Sequence, residues 1–409
     1  MTMTDHPTQQ IYQTLSDTLH NKTIILAVTG SIAAVRTIEL SRELIRHGAR
    51  IKAVMSSAAA NIIHPDALHY ATASPVITRI TGAIEHVEYC GEEGSADLLL
   101  IAPCTANTIS KIAVGIDDTP VTTFATTALG SGKQILIVPA MHGSMYNHLA
   151  IRDNIDKLRA MGIHIIDPVI EEHSAKIAAN EDIVLVVRRL LGDGRLNNKR
   201  IIITGGGTME RIDPIRILTS RASGLTGIAL AQESYYRGAD VVLIHPKKRE
   251  LYGITEIEAV STCDMICCVL DEIKKGCDLL ISSAAISDYT VKPEAMKIPS
   301  QQNELTLTLY PTSKLLQIVR EDYPDLPVIG FKALANVSKE QLLICAQNLM
   351  KKNGLSMVVA NDVGKEGMGT DENTVCILDS SGIGTGPVSG NKTAIARTII
   401  DRIIEVLGC

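Results

Sequence analysis

The 409-residue chain has no Trp, 2 Phe and only 3% aromatic residues in all. It therefore offers little on which nucleic-acid bases could stack. Its Lys and Arg run together at most as pairs or a triplet, the net charge is −6 and the sequence pI is about 6.0. That balance argues against a phosphate-backbone partner. No apolar run approaches the length of a membrane span, and the opening MTMTDHPTQQIYQTLSD has neither the basic nor the apolar segment of a secretory signal. The 9 Cys are odd in number and form no CxxC pair, which suits a reducing cytoplasm rather than a disulfide framework or a zinc site. Cys263, Cys267 and Cys268 stand at helical spacing and read as core positions rather than metal ligands. SGNKT (389–393) lacks Walker spacing and reads as the cap of the last helix.

With 45% hydrophobic residues, a chain of this length can bury two ordinary cores. Apolar strands and amphipathic helices alternate almost throughout, which predicts doubly wound α/β architecture with mostly parallel sheets. In the first half the strands are TIILAVT, RIKAVMS, DLLLIAP and QILIVPA. A polar Gly/Asn stretch near Gly192–Lys199 marks a boundary. The pattern then restarts with RIIITGG and continues through ADVVLIHP, CDLLISSAA, PVIGFKA, SMVVAND and NTVCILD to a closing helix NKTAIARTIIDRIIEVL.

In the first half, TGSIAA sets Gly30 and Ser31 at a strand-to-helix turn, where free N–H groups and the helix dipole favour an anion. G-x-G-x-x-G is missing from this turn. Ser56 and Ser57 close the second strand in place of an acidic residue, so a mononucleotide fits better than a dinucleotide. IAPCTANT brings Thr105 and Asn107 to another strand end, and VPAMHGSMY brings Met141 and His142 to a third. Such loops share one cleft beyond an open parallel sheet.

Together with His86 in IEHVEYC, these segments resemble the flavin-dependent cysteine decarboxylase family, which implies an FMN site. The resemblance assigns Gly30, Ser31, Ser56, Thr105, Asn107 and Met141 to FMN and makes His86 the catalytic base. It also implies the chemistry: the flavin oxidises the thiol of a cysteine amide, the carboxylate leaves as CO2, and the reduced flavin restores the thiol. Two departures stand out. His142 occupies the place of an Asn that touches the substrate carboxylate, and EEHSAKIAANEDI contains no flap Cys. His173 or Lys176 is left to supply the last proton, His173 being favoured because its ordinary pKa lies near neutrality.

In the second half, ITGGGTMERIDPIRILTSRASG, SSAAISDY, GFKA, KKNG and VANDV are similar, in that order, to the phosphopantothenate–cysteine ligases. The resemblance assigns Gly205, Gly206, Gly207, Thr208, Ser282, Ser283, Ala284, Asp288, Lys297, Gly330, Phe331, Lys351 and Lys352 to a nucleotide. Asp288 is also its candidate for Mg²⁺, and Lys297 would neutralise phosphate charge. Ser220 replaces an Asn that helps an acyl–nucleotide react, and Ala222 and Leu225 are further departures.

A decarboxylase followed by a ligase resembles the bifunctional coenzyme A biosynthesis family. That implies an extension (1–20), a decarboxylase domain (21–192), a linker (193–199) and a ligase domain (200–409). The product would be 4′-phosphopantetheine, made in the cytoplasm from 4′-phosphopantothenate, cysteine and CTP. FMN and Mg²⁺ would be the cofactors, with no nucleic acid or membrane partner. Homo-oligomers with trimeric decarboxylase and dimeric ligase contacts are expected. The alternative is an FMN-binding flavoprotein, prenyltransferase-like or regulatory, fused to a degenerate ligase domain.

Overall fold

A computed structural model of the chain describes residues 6–171, 174–300, 304–364, 372–379 and 385–408. The fold divides into two units, Met1–Gly192 and Asp193–Cys409.

In the first unit the parallel strands are β1 (Thr23–Val28), β2 (Arg50–Met55), β3 (Leu98–Cys104), β4 (Gln134–Pro139) and β6 (His164–Ile165), ordered β2-β1-β3-β4-β6. β1 and β3 are buried almost end to end, as a strand covered on both faces must be, and their continuous Ile/Leu/Val/Ala runs meet that demand. The helix Thr37–Arg46 turns its apolar stripe inward through Leu40, Leu44 and Ile45, and the chain leaves it through Gly48 at φ +96°. A separate antiparallel ribbon joins β5 (Met141–His142), β7 (Val169–Glu171) and β8 (Ser174–Lys176) in the order β5-β8-β7.

The second unit has an eight-stranded sheet. Its strands are β9 (Arg200–Thr204), β12 (Asp240–His245), β13 (Thr255–Glu258), β14 (Leu279–Ser282), β17 (Val328–Leu334), β18 (Met357–Asp362), β19 (Glu372–Asp379) and β20 (Thr385–Asn391). They lie in the order β13-β12-β9-β14-β17-β18-β19-β20. The first six are parallel; β19 and β20 continue antiparallel along one edge. Two small ribbons, β10 (Met209–Arg211) with β11 (Ile217–Thr219) and β15 (Tyr289–Val291) with β16 (Leu309–Pro311), stand outside the sheet. The doubly wound, mostly parallel α/β class expected from the sequence is the class observed.

The first residues of this unit are tied to it by charge. Arg237, only 5% exposed, donates to Asp193 (2.6 Å), Asp401 (2.6 Å) and Glu233 (3.0 Å). Arg195 reaches the same Asp193 and Asp401. A buried guanidinium costs stability unless every donor is met, and here three carboxylates meet it. Asn391 caps the last helix, Lys392–Leu407, as SGNKT suggested. The cysteine reading needs correction. On the helix Thr262–Lys274, Cys268 packs against the core, whereas Cys263 and Cys267 face outward and are exposed. Among the described residues no helix is long and apolar enough to cross a membrane.

Candidate active sites

Strand order reverses between β1 and β3 in the first unit and between β9 and β14 in the second. Each reversal opens a crevice at the carboxyl ends of the strands, where ligands bind in such sheets.

In the first unit the strand ends are laced together. Thr29 Oγ1 donates to Pro103 O (2.8 Å) and accepts from Thr105 N (3.0 Å). Ser56 N donates to Val28 O, and Ala140 N to Cys104 O. Each turn then closes on its own side-chain cap. Ser31 Oγ accepts from Ala33 N, Ser56 Oγ from Ala59 N, Thr105 Oγ1 from Thr108 N, and His142 Nδ1 from Ser144 N. At Gly30 a Cβ would stand 2.5 Å from the Ala58 Cβ, so only a glycine lets this turn lie against the next helix. Asn107 is exposed on the first turn of its helix, and Met141 packs half-buried on the core. The capping bond fixes the proton of neutral His142 on Nε2, which leaves a donor pointing away from its own backbone.

His86 lies on the short helix Glu85–Cys90, and its Nδ1 is buried with no hydrogen-bond partner. A buried ring nitrogen without a partner is costly, so this atom is suited to a group the protein does not itself supply. Among the described residues no hydrogen bond joins His86 to the strand ends. β8 pairs antiparallel with β5, opposing Ala175 to Met141 and Ser174 to His142. The segment carrying Lys176 thus lies beside the His142 turn, while His173 falls outside the described residues.

In the second unit a cleft of about 280 Å³ is lined by Gly206, Ser283, Ala284, Asp288 and Phe331, and also by Ser223, Lys332, Asn361, Asn373 and Lys392. A neighbouring hollow of about 270 Å³ shares Ala284, Asp288 and Phe331 and adds Ser282, Lys314 and Lys352. The helix Leu225–Tyr236 starts at this cleft. Its N-cap, Gly224, has φ +79° and provides no side-chain cap, so the first N–H groups stay available to an anion. The helix approaches because Gly205 and Gly227 meet backbone to backbone; a Cβ on Gly227 would be 2.8 Å from the Gly205 Cα.

Charge in these two hollows is lopsided. Among the described residues, Lys332, Lys392, Lys314 and Lys352 line the two hollows with one carboxylate, Asp288, which Lys314 contacts at 2.5 Å. In a chain of net charge −6, such a concentration favours a polyanion. Among the described residues no group of three or more His, Cys, Asp or Glu is placed to hold a metal.

Several residues assigned from sequence build the walls from behind instead. Thr208 is fully buried, and its hydroxyl meets Thr262 Oγ1 (3.1 Å) and Ser287 N (2.9 Å). Gly205 packs on Gly227, Gly207 leaves room for the Ser220 hydroxyl, and Gly330 lies under Leu355. Lys351 is exposed on its helix and lines neither hollow. Lys297 lines a separate cleft with Lys292, Glu294 and Tyr310. Its loop is anchored where Ile298 N donates to Asp213 Oδ2 (3.2 Å). Sequence reasoning missed Lys332, Lys392, Asn361 and Asn373. The first three sit in motifs already singled out (GFKA, SGNKT, VANDV), and Lys332 stands next to Phe331, which was chosen.

The pattern described as Flavoprotein matches residues 12–192, and that described as DNA/pantothenate metabolism flavoprotein C-terminal domain matches residues 196–407. The coenzyme A biosynthesis bifunctional protein CoaBC of Thermococcus kodakarensis is 46% identical over 377 residues, 91% of this chain and 93% of its own. The chain belongs to the CoaBC family. The member from Methanocaldococcus jannaschii is 39% identical over 405 residues, 98% of each chain. A solved C-terminal domain of a CoaBC protein superposes with TM-score 0.44 at 26% identity, over 53% of this chain and 99% of its own. As a CoaBC protein the chain is an enzyme with a flavoprotein half and a pantothenate-metabolism half.

Proposed function

We propose that residues 200–409 join cysteine to 4′-phosphopantothenate using CTP, and that residues 21–192 decarboxylate the resulting phosphopantothenoylcysteine to 4′-phosphopantetheine with bound FMN. The observation that carries the ligase half is the pairing of an uncapped helix end with lysines that line the two hollows, four against one carboxylate among the described residues. A triphosphate needs both neutral N–H donors and mobile positive charge. In this reading Lys332 and Lys392 hold phosphate oxygens, Gly206 and the Gly224 turn give backbone donors, and Asn361 and Asn373 face the base. Asp288 fits Mg²⁺ of the kind that takes one or two carboxylates plus phosphate oxygens, with Lys314 its partner until the ion arrives. Ser220, whose hydroxyl sits over Gly207, offers one hydrogen bond to the activated acyl group.

In the decarboxylase half, the glycine-permitted turn at Gly30, the hydroxyls at Ser31, Ser56 and Thr105, and the unpaired His86 nitrogen fit a flavin mononucleotide and its substrate. Bound flavin supplies the two-electron acceptor that the substrate thiol requires. His86 takes the proton from that thiol, while His142 Nε2–H holds the carboxylate that departs. His173 or Lys176 returns the last proton.

Cytoplasmic location is supported by the eight described cysteines, all free thiols. Trimeric contacts in the first unit are supported by exposed Ile84, Val87, Val114 and Ile116, and dimeric ligase contacts would close the particle. The deciding experiment mixes purified protein with 4′-phosphopantothenate, cysteine and either CTP or ATP. A yellow protein that releases pyrophosphate with CTP, followed by CO2, is expected. A colourless protein, or one releasing neither, overturns the reading.

A further inference from the structure

The helix Thr262–Lys274 carries Cys263 and Cys267 four residues apart, so the two side chains are offset by only ~40° around the helix. Both are exposed, and the neighbouring Cys267 thiol pushes the Cys263 thiol up. Cys268 falls a further ~100° round and packs into the core. The outward face of this helix therefore presents a dithiol that neither proposed reaction uses.

The same end of the helix is built into the wall of the ligase cleft. Thr262 N donates to Glu210 Oε1 (2.9 Å), and Thr262 Oγ1 meets Thr208 Oγ1 (3.1 Å). Thr208 Oγ1 accepts from Ser287 N (2.9 Å), and Glu210 Oε2 from Thr290 Oγ1 (2.8 Å). Ser287 and Thr290 flank Asp288, which lines the cleft. Cys263 thus directly follows the residue whose bonds hold this loop.

The geometry selects the chemistry. A disulfide needs Cβ atoms about 3.5–4.5 Å apart, whereas residues i and i+4 of an intact helix hold theirs at about 5–6 Å. A single soft atom bonded to both sulfurs spans that gap without distorting the helix. Thiolate sulfur is the ligand type that soft centres prefer.

We infer that Cys263 and Cys267 form a capture site for a soft, thiol-seeking centre that binds two sulfurs, trivalent arsenic being the form used as probe, and that filling the site slows the ligase reaction. With an organoarsenic(III) oxide the step balances without an oxidant. Two As–S bonds form, the As=O bond breaks, and the oxygen leaves as water with the two thiol protons; arsenic stays trivalent. The slowing of the ligase rests on the function proposed above, whereas capture does not.

The full-length protein is titrated with phenylarsine oxide while accessible thiols are counted with a chromogenic disulfide and pyrophosphate release is followed. One equivalent per chain should remove two thiols and lower the ligase rate severalfold, and 2,3-dimercaptopropanol should restore both. Cys263→Ser or Cys267→Ser should abolish both effects, whereas Cys268→Ser should retain them. An unchanged thiol count, or equal loss in a Cys263→Ser/Cys267→Ser variant, overturns the capture site. Loss of two thiols with an unaltered ligase rate overturns its link to the cleft. Loss of two thiols in a protein that shows no ligase activity even before treatment supports capture and places the failure in the proposed function.

Discussion

Two crevices in this chain arise from the same reversal of strand order, yet they present donors to a ligand in different ways. In the first unit each turn spends a side chain on its own helix: Ser31, Ser56, Thr105 and His142 all accept a backbone N–H. None of these strand-end residues is a lysine or arginine. In the second unit the entering helix has no side-chain cap at Gly224, and lysines surround the opening. Topology thus sets where a ligand goes, and the capping residue with its neighbours sets how much negative charge it carries. A flavin with one phosphate suits the first arrangement, a triphosphate the second.

The largest effect should come from His86→Asn. Decarboxylation of supplied phosphopantothenoylcysteine should fall by roughly 10²–10⁴-fold with the flavin spectrum and the ligase rate unchanged; loss of colour would instead make His86 a structural residue. Lys332→Met should break the other side of the comparison. The ligase kcat/KM for CTP should drop on the order of 10²-fold, while CO2 release from supplied intermediate is untouched. An equal fall in both activities would show that the two crevices are not separately charged.

Gly227→Ala tests close approach rather than charge. The added methyl meets the Gly205 backbone, so thermal unfolding of the ligase unit should shift down by the equivalent of about 1–3 kcal/mol; an unshifted transition would mean the helix yields freely. A smaller, pH-dependent effect is expected in the first unit. Burial, with Arg188 nearby, pushes His47 down to about 4, while the unfolded chain binds that proton from about 6.5 downward. Stability should be level above pH 6.5 and decline between 6.5 and 4. His47→Gln should flatten that decline in acid-unfolding curves, and an identical slope would remove His47 as the cause.

The alternation of apolar strands with amphipathic helices was legible because burial on both faces leaves continuous Ile/Val/Leu runs, as in β1, β3 and β9. The short pieces were not. β13, β20 and the ribbons β10–β11 and β15–β16 are too brief or too polar for periodicity to register, and the helices Pro65–Thr72 and Pro120–Gly130 open on prolines that read as breaks. Motif order located both crevices but not which atoms face inward. Thr208 lies in a phosphate-type loop yet turns its hydroxyl to Thr262 and Ser287, whereas Lys392, beginning a helix, reaches the cleft. Cys263 and Cys267 show the same limit, since helical spacing reveals a shared face without saying whether it faces core or water.

The charge cluster at the start of the second unit bears on where that unit can be cut. Asp193 lies in the polar stretch that reads as a connector, yet it neutralises a guanidinium buried inside the ligase half. A chain begun at Arg200 would leave Arg237 with one fewer counter-charge and would also lose Arg195. A ligase unit expressed by itself should therefore begin before Asp193 if Arg237 is to keep all three of its carboxylates.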